Sequence, residues 1–279
     1  MSEQTTDTTP RNPTSETFGD FLTIERRGRV TMVTIDRGDG LNALSTTLMR
    51  DLTAVAQHLA TDTVSSAIVL TGRPAFSAGA DLKERAAARD RRPTLVERRE
   101  SLKVGPDLCA AWERLEQITI AAVERFCIGG GVALAIACDH RIAGAAAHFR
   151  LPEVPLGMNM SWQSNPRTVA LLGPSRAKRF TILGEKLDAA AAQAWGLVDE
   201  VVPDGQALDA ALALAERYAA MPPLPLRMTK QAINATVAAL HYATSYMDRD
   251  QFLLAALSED QREGVRAFLE KRPPEFTGD

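Results

Sequence analysis

Residues Ile118–Asp139 read ITIAAVERFCIGGGVALAIACD. The opening six are β-branched or small and apolar, the composition of a buried strand. Three consecutive glycines, Gly129–Gly131, then run straight into an apolar segment. The pattern places residues without side chains where a strand gives way to a helix. A helix N-terminus carries unpaired N–H groups and partial positive charge, and glycine lets another group approach that backbone closely. Such a loop alone is weak evidence, since glycine before a helix is usually a tight packing turn or a cap. A second loop of the same kind, FSAGADLKE (Phe76–Glu84), follows another short apolar run, SAIVLTG (Ser66–Gly72). Two N–H groups from two such loops, converging on one carbonyl oxygen, would form an oxyanion hole.

Outward from these loops the chain alternates strands and helices. FLTIER and RVTMVTID, joined by Arg-Gly, predict a hairpin. Ser45 stands where an N-cap should, and Leu48, Leu52, Val55 and Leu59 share one face of the helix it would start. Pro93 argues against one continuous helix through the charged stretch ERAAARDRRPTLVERRE (Glu84–Glu100), which reads as a solvated helix or a mobile flap. GLVDEVVP (Gly196–Pro203) is the last strand expected. Beyond it every periodic segment is helical, so the reading is an α/β core over residues 18–203 and a C-terminal helical subdomain over 204–279. Residues 1–17, polar and Thr-rich, read as a disordered tail with no secretory or transit character.

The 279 residues carry a formal net charge of -3 and 45% hydrophobic side chains, enough for a sizeable core and without the basic bias of a nucleic-acid partner. No apolar run approaches membrane-spanning length. Cys109, Cys127 and Cys138 are odd in number and lack metal-ligand spacing, which suits a reducing, cytoplasmic setting, and the four histidines form no metal motif. Neither a metal nor a separate cofactor is expected.

LNALS (Leu41–Ser45), AFSAGADLKE (Ala75–Glu84), IGGGVALAIACDHRIA (Ile128–Ala143), LPEVPLG (Leu151–Gly157), AAAQAWGLVDEVVP (Ala190–Pro203) and SEDQREGVRAFLEKR (Ser258–Arg272) occur in that order. From about residue 20 to the end the sequence resembles the crotonase superfamily, the enoyl-CoA hydratase/isomerase family. The resemblance implies a spiral ββα core, a C-terminal helical region that trimerises, and a homotrimer or dimer of trimers. It also implies an acyl-CoA thioester as substrate, with coenzyme A part of that substrate rather than a cofactor. The family's oxyanion N–H groups fall on Ala80 and Gly130, and the glycines, Gly129 included, let the thioester oxygen lie against the backbone. Contacts to CoA point to Ala78 and Lys83; Lys83 pairs with a phosphate or is a solvated surface lysine. Phe268 and Lys271 match positions that reach the adenine end from a neighbouring subunit, although a Phe on an amphipathic helix is also a common core residue.

Hydratases of the family hold water between two glutamates. The position of the first is Ala133 here, and that of the second is Glu153. A methyl group transfers no proton. A single carboxylate beside an oxyanion hole suits removal of a proton α to the thioester and its return elsewhere, the logic of the family's Δ3,Δ2-enoyl-CoA isomerases. Glu153 also reads as a carboxylate placed favourably at a helix start. Alternatives on the same site are hydration with a substitute acid (Asp81, Glu84 or Glu97), thioester hydrolysis and decarboxylation. From another class comes a non-catalytic acyl-CoA-binding protein. Trp162, in MNMSWQSNPR (Met158–Arg167), reshapes the acyl pocket or simply packs, and Glu124 and Arg125 enter the site or point to solvent.

Overall fold

The structure is a computed structural model that describes residues 14–81, 84 and 93–279. Lys83 lies outside the described residues. The strands are β1 (Thr14–Phe18), β2 (Leu22–Arg27), β3 (Val30–Ile35), β4 (Ala67–Gly72), β5 (Ile118–Val123), β6 (Phe126–Ile128), β7 (His140–Gly144), β8 (His148–Arg150), β9 (Leu187–Asp188) and β10 (Glu200–Val202). Seven of them form one sheet in the order β1-β2-β3-β4-β5-β7-β10, and β6-β8-β9 form a second. The expected hairpin is β2–β3, in register from Leu22 opposite Ile35 to Arg27 opposite Val30. From β3 through β4, β5 and β7 to β10 the pairing is parallel.

Parallel strands need cover on both faces. Every residue of β3, β4 and β5 is buried, and their side chains divide by parity. Val33, Ile35, Ile68, Leu70, Ala121 and Val123 join the core beneath helix α1 (Thr46–Ala60), against Leu48, Leu52, Val55 and Leu59. Val30, Ala67, Val69, Ile118, Ile120 and Ala122 face the other way, onto Ala207, Ala211, Ala215 and Ala219. Those four alanines, spaced four apart, form one stripe of a single helix. The Ser45 hydroxyl caps α1 as expected, accepting from the Leu48 N–H at 3.2 Å.

Among the described residues the further α-helices are α2 (Leu95–Ser101), α3 (Val104–Glu113), α4 (Gly130–Ala135), α5 (Ser164–Ile182), α6 (Ala189–Trp195), α7 (Ala207–Ala219), α8 (Pro223–Val237), α9 (His241–Ser245), α10 (Asp248–Ala255) and α11 (Glu259–Glu270). As expected, no strand follows Pro203 among the described residues.

Two expected boundaries move. The tail was expected to run to residue 17, yet Thr14–Phe18 pairs antiparallel with β2, from Thr14 opposite Arg26 to Phe18 opposite Leu22. Its side chains are largely exposed, so this edge strand is held by backbone hydrogen bonds and leaves no apolar alternation to read. The core was expected to end at residue 203, yet α7 covers the sheet and belongs to it. Its alanine stripe is what lets the helix axis lie close to the strands.

That closeness is testable. Ala211 is fully buried, and Ala211→Leu should cost roughly 1–3 kcal/mol through overpacking. Thermal unfolding should show a Tm several degrees below wild type. An unchanged Tm would mean that α7 does not sit this near the sheet.

Candidate active site

Both small-residue loops leave C-terminal ends of parallel strands and meet there. The first is sewn to the LNALS segment. Leu44 N–H donates to Gly79 O at 2.7 Å, Asp81 N–H to Leu44 O at 3.1 Å, and Ala78 N–H to Leu41 O at 2.8 Å. Buried Asn42 is the staple beneath. Its Nδ2 donates to the carbonyls of Ile35, Arg73 and Ala75, and its Oδ1 accepts from Arg37 N–H. The Ser77 hydroxyl donates to Asn42 O at 2.8 Å and accepts from Gly79 N–H at 3.0 Å.

The second loop docks on the first. Ile128 N–H donates to Ser77 O at 3.0 Å and Ser77 N–H to Phe126 O at 3.3 Å. Gly79 adopts φ +87°, and a Cβ there would lie 2.6 Å from Ile128 O and 3.2 Å from Gly130 N. Only glycine permits this approach. Ala80 and Gly130 thereby line one small cavity of about 80 Å³. Neither N–H donates to another described residue, so both remain available to an incoming oxygen.

Glu153 closes the cavity from a third segment. A Cβ on Gly129 would sit 2.7 Å from Glu153 Oε1, so the carboxylate lies directly against the glycine backbone. Glu153 is half-buried, and its carbonyl accepts from Met158 N–H at 2.9 Å. The C-terminal helix presses this loop into place. A Cβ on Gly157 would meet Gln261 Cα at 2.5 Å, and one on Gly264 would meet the Leu156 carbonyl carbon at 2.6 Å. Phe252 of α10 completes the apolar wall with Met158 and Met160.

The sequence-predicted residues Ala78, Ala80, Gly129, Gly130, Glu153 and Trp162 therefore converge on one cavity. Phe268 and Lys271 do not: both are exposed on or just after α11 and neither lines it. Ala133 is fully buried in the core on α4, outside the cavity wall. Each of the three substitute acids has a partner. Asp81 pairs with Arg37 at 3.0 Å, Glu84 accepts from Thr46 N–H at 2.8 Å, and Glu97 forms a capping box with Thr94. Glu124 accepts from Ala207 N–H at 3.0 Å, and Arg125 is exposed, so neither enters the site. The cysteines are buried, and burial pushes the Cys109 and Cys138 thiols up to about 12, which removes them as thiolate nucleophiles.

Trp162 both packs and lines the cavity. Its indole is wedged between Gly105 and Gly130, where added Cβ atoms would lie 2.0 Å from Cε2 and 2.6 Å from Cη2. Trp162 and Gln163 adopt φ of +62° and +56°, an unusual left-handed pair of non-glycine residues. Asp248, distant in sequence, and Arg167, one turn on, hold that turn. Asp248 Oδ2 accepts from Gln163 N–H at 2.8 Å. Arg167 donates to Trp162 O at 3.0 Å and to Gln163 O at 3.2 Å, and pairs with Glu113 at 2.7 Å. Sequence reading missed Asn42, Gly105, Asp248 and Phe252. The only available signal was Asn42 in a turn-rich loop.

A larger cavity, about 610 Å³, lies between the Cys138–Arg141 segment and helix α8, and none of the predicted site residues borders it. No helix among the described residues is long and apolar enough to cross a membrane.

Comparison with known proteins places the chain in a family. The enoyl-CoA hydratase/isomerase family profile matches residues 25–279. The 2,3-dehydroadipyl-CoA hydratase of Escherichia coli is 37% identical over 258 residues, which is 92% of this chain and 98% of that protein. Crystal structures of an enoyl-CoA hydratase from Mycobacterium avium subsp. paratuberculosis and an enoyl-CoA hydratase/isomerase from Pseudoalteromonas atlantica superpose with TM-scores of 0.81 and 0.82. Their identities are 28% and 27%, each alignment covers 92% of this chain, and it covers 99% and 100% of those chains respectively. The chain belongs to the enoyl-CoA hydratase/isomerase family, the crotonase superfamily, whose members act on acyl-CoA thioesters.

The turn under Trp162 makes a pH-dependent prediction. Burial pushes the Asp248 carboxyl from its ordinary 3.8 up to about 6, against the opposing pull of Gln163 N–H and Arg167. For an acid with a raised folded pKa, stability is lost as pH rises through the interval between the two values. Asp248→Asn keeps an acceptor for Gln163 N–H and removes that loss. Its stability relative to wild type should therefore rise between about pH 4 and pH 7, read as urea midpoints. A constant difference across that range would contradict the assignment.

Proposed function

We propose that this chain is an isomerase of acyl-CoA thioesters that works through an enolate, with Glu153 as its single acid/base. The carrying observation is the placement of the Glu153 carboxylate against Gly129, beside the N–H groups of Ala80 and Gly130, while position 133 presents only a buried methyl. In this reading the thioester oxygen of a 3-enoyl-CoA accepts from both N–H groups. The Glu153 carboxylate takes a proton from C2, and the electrons move into a dienolate whose oxyanion the two donors stabilise. The protonated Glu153 then returns the proton to C4, giving the 2-enoyl thioester with no net change in mass.

The names of the relatives favour a second reading, hydration of a 2-enoyl-CoA. It would need an acid in place of the missing glutamate. Asp81, Glu84 and Glu97 are each committed to other partners.

An assembly of three chains, or of two such trimers, fits the exposed apolar residues Leu224, Met228, Ile233 and Val237 along α8. It also fits the exposure of Phe268 and Lys271, which in this reading serve a neighbouring subunit's CoA.

Glu153→Gln preserves shape and removes the proton carrier. It should lower kcat for 3-enoyl-CoA isomerisation by on the order of 10²–10⁴-fold, with a much smaller effect on the Kd for the substrate. Turnover equal to wild type would overturn the assignment of Glu153.

A further inference from the structure

We propose that Trp162 is the end wall of the acyl pocket and restricts this enzyme to acyl-CoAs whose acyl group is short, apolar and uncharged. The inference rests on the site reading above and adds a substrate class to it.

The space beside the oxyanion donors is about 80 Å³, well under the roughly 300–1,000 Å³ of common small-molecule sites. What fills the rest is the indole. It touches Gly130, one of the donor residues, on one side and Gly105 of α3 on the other, with no room for even a methyl group at either position. An extended acyl chain leaving the thioester carbon in that direction meets the ring face. The ring cannot swing aside by backbone rotation alone. Its residue is already in the left-handed region, and the turn is clamped from two sides by Asp248 and by the Arg167–Glu113 pair. A strained conformation held by buried Arg167 and Asp248 and half-buried Glu113, from α5, α10 and α3, marks a position whose side-chain placement matters.

The wall chemistry sets the second half of the proposal. Around the cavity, Met158, Met160 and Phe252 supply apolar surface, and Glu153 supplies a carboxylate. Among the described residues no Lys, Arg or His lines it. An acyl group ending in its own carboxylate would meet no cation among these described wall residues and would be buried against their apolar surface, which is costly.

The test uses saturated acyl-CoAs, which bind without isomerising. Affinities of butanoyl-, octanoyl- and adipoyl-CoA for the full-length wild type, Trp162→Ala and Trp162→Phe would be measured by calorimetry, with Tm confirming that each variant is folded. For wild type, octanoyl-CoA should bind no tighter than butanoyl-CoA, and adipoyl-CoA at least about tenfold more weakly, the loss expected when a carboxylate is buried unpaired. Trp162→Ala should raise the octanoyl-to-butanoyl affinity ratio by about tenfold or more, since each newly buried methylene is worth roughly fourfold. Trp162→Phe should raise it less, and serves alone if the alanine variant does not fold. Wild type that already prefers octanoyl-CoA by tenfold, adipoyl-CoA binding as tightly as butanoyl-CoA, or an unchanged ratio in folded variants would each overturn the proposal. Turnover unaffected by Glu153→Gln would instead defeat the catalytic reading and leave this binding profile standing.

Discussion

The structure turns on one close approach: the backbone of Gly79 against Ile128 O and Gly130 N. Two loops cannot present their N–H groups to one oxygen unless their main chains touch, and a single Cβ at residue 79 would part them. The rest of the core serves that contact. The parallel strands β4 and β5 deliver the two loops to the same edge, and α1 and α7 cover the strands that carry them. Asn42, buried and bonded to three carbonyls, converts the preceding turn into a rigid support. The donors are thus positioned before any ligand arrives, which is the condition under which backbone N–H groups stabilise developing negative charge.

The proposed chemistry follows from which carboxylates reach that contact. Helix α4 begins at the second loop with the Gly130 N–H and carries Ala133 into the core, away from the cavity. Glu153 reaches the cavity from a separate segment that α11 holds down through glycine-sized contacts at Gly157 and Gly264. The C-terminal helices therefore position the Glu153 carboxylate and, through Asp248, the indole. They are part of the site's construction as well as a surface on which other chains could assemble.

Much of this was legible in the sequence because it is local. The parity of β3, β4 and β5, the Ser45 cap, the glycine loops and the gap at Ala133 each rest on residues a few positions apart. The clamp on Trp162 was not legible. Asp248 is 85 residues from Gln163, and Arg167 meets Glu113 across 54. No short-range pattern encodes such pairs, and the left-handed turn at Trp162–Gln163 uses residue types that give no turn signal. The same reason hid Gly105, a glycine inside a helix whose purpose appears only when the indole is set against it. The alanine stripe of α7 was readable as a helix face, yet what that face covers depends on the whole sheet.

The central claim, enolate chemistry with one carboxylate, is tested most directly by product mass. The purified protein would be incubated separately with a 3-enoyl-CoA and its 2-enoyl isomer of short chain length, each followed by chromatography and mass spectrometry. Interconversion of the two at constant mass is the predicted result. Conversion of the 2-enoyl thioester to a product heavier by one water, without interconversion, would contradict it and show that a second acid reaches the site.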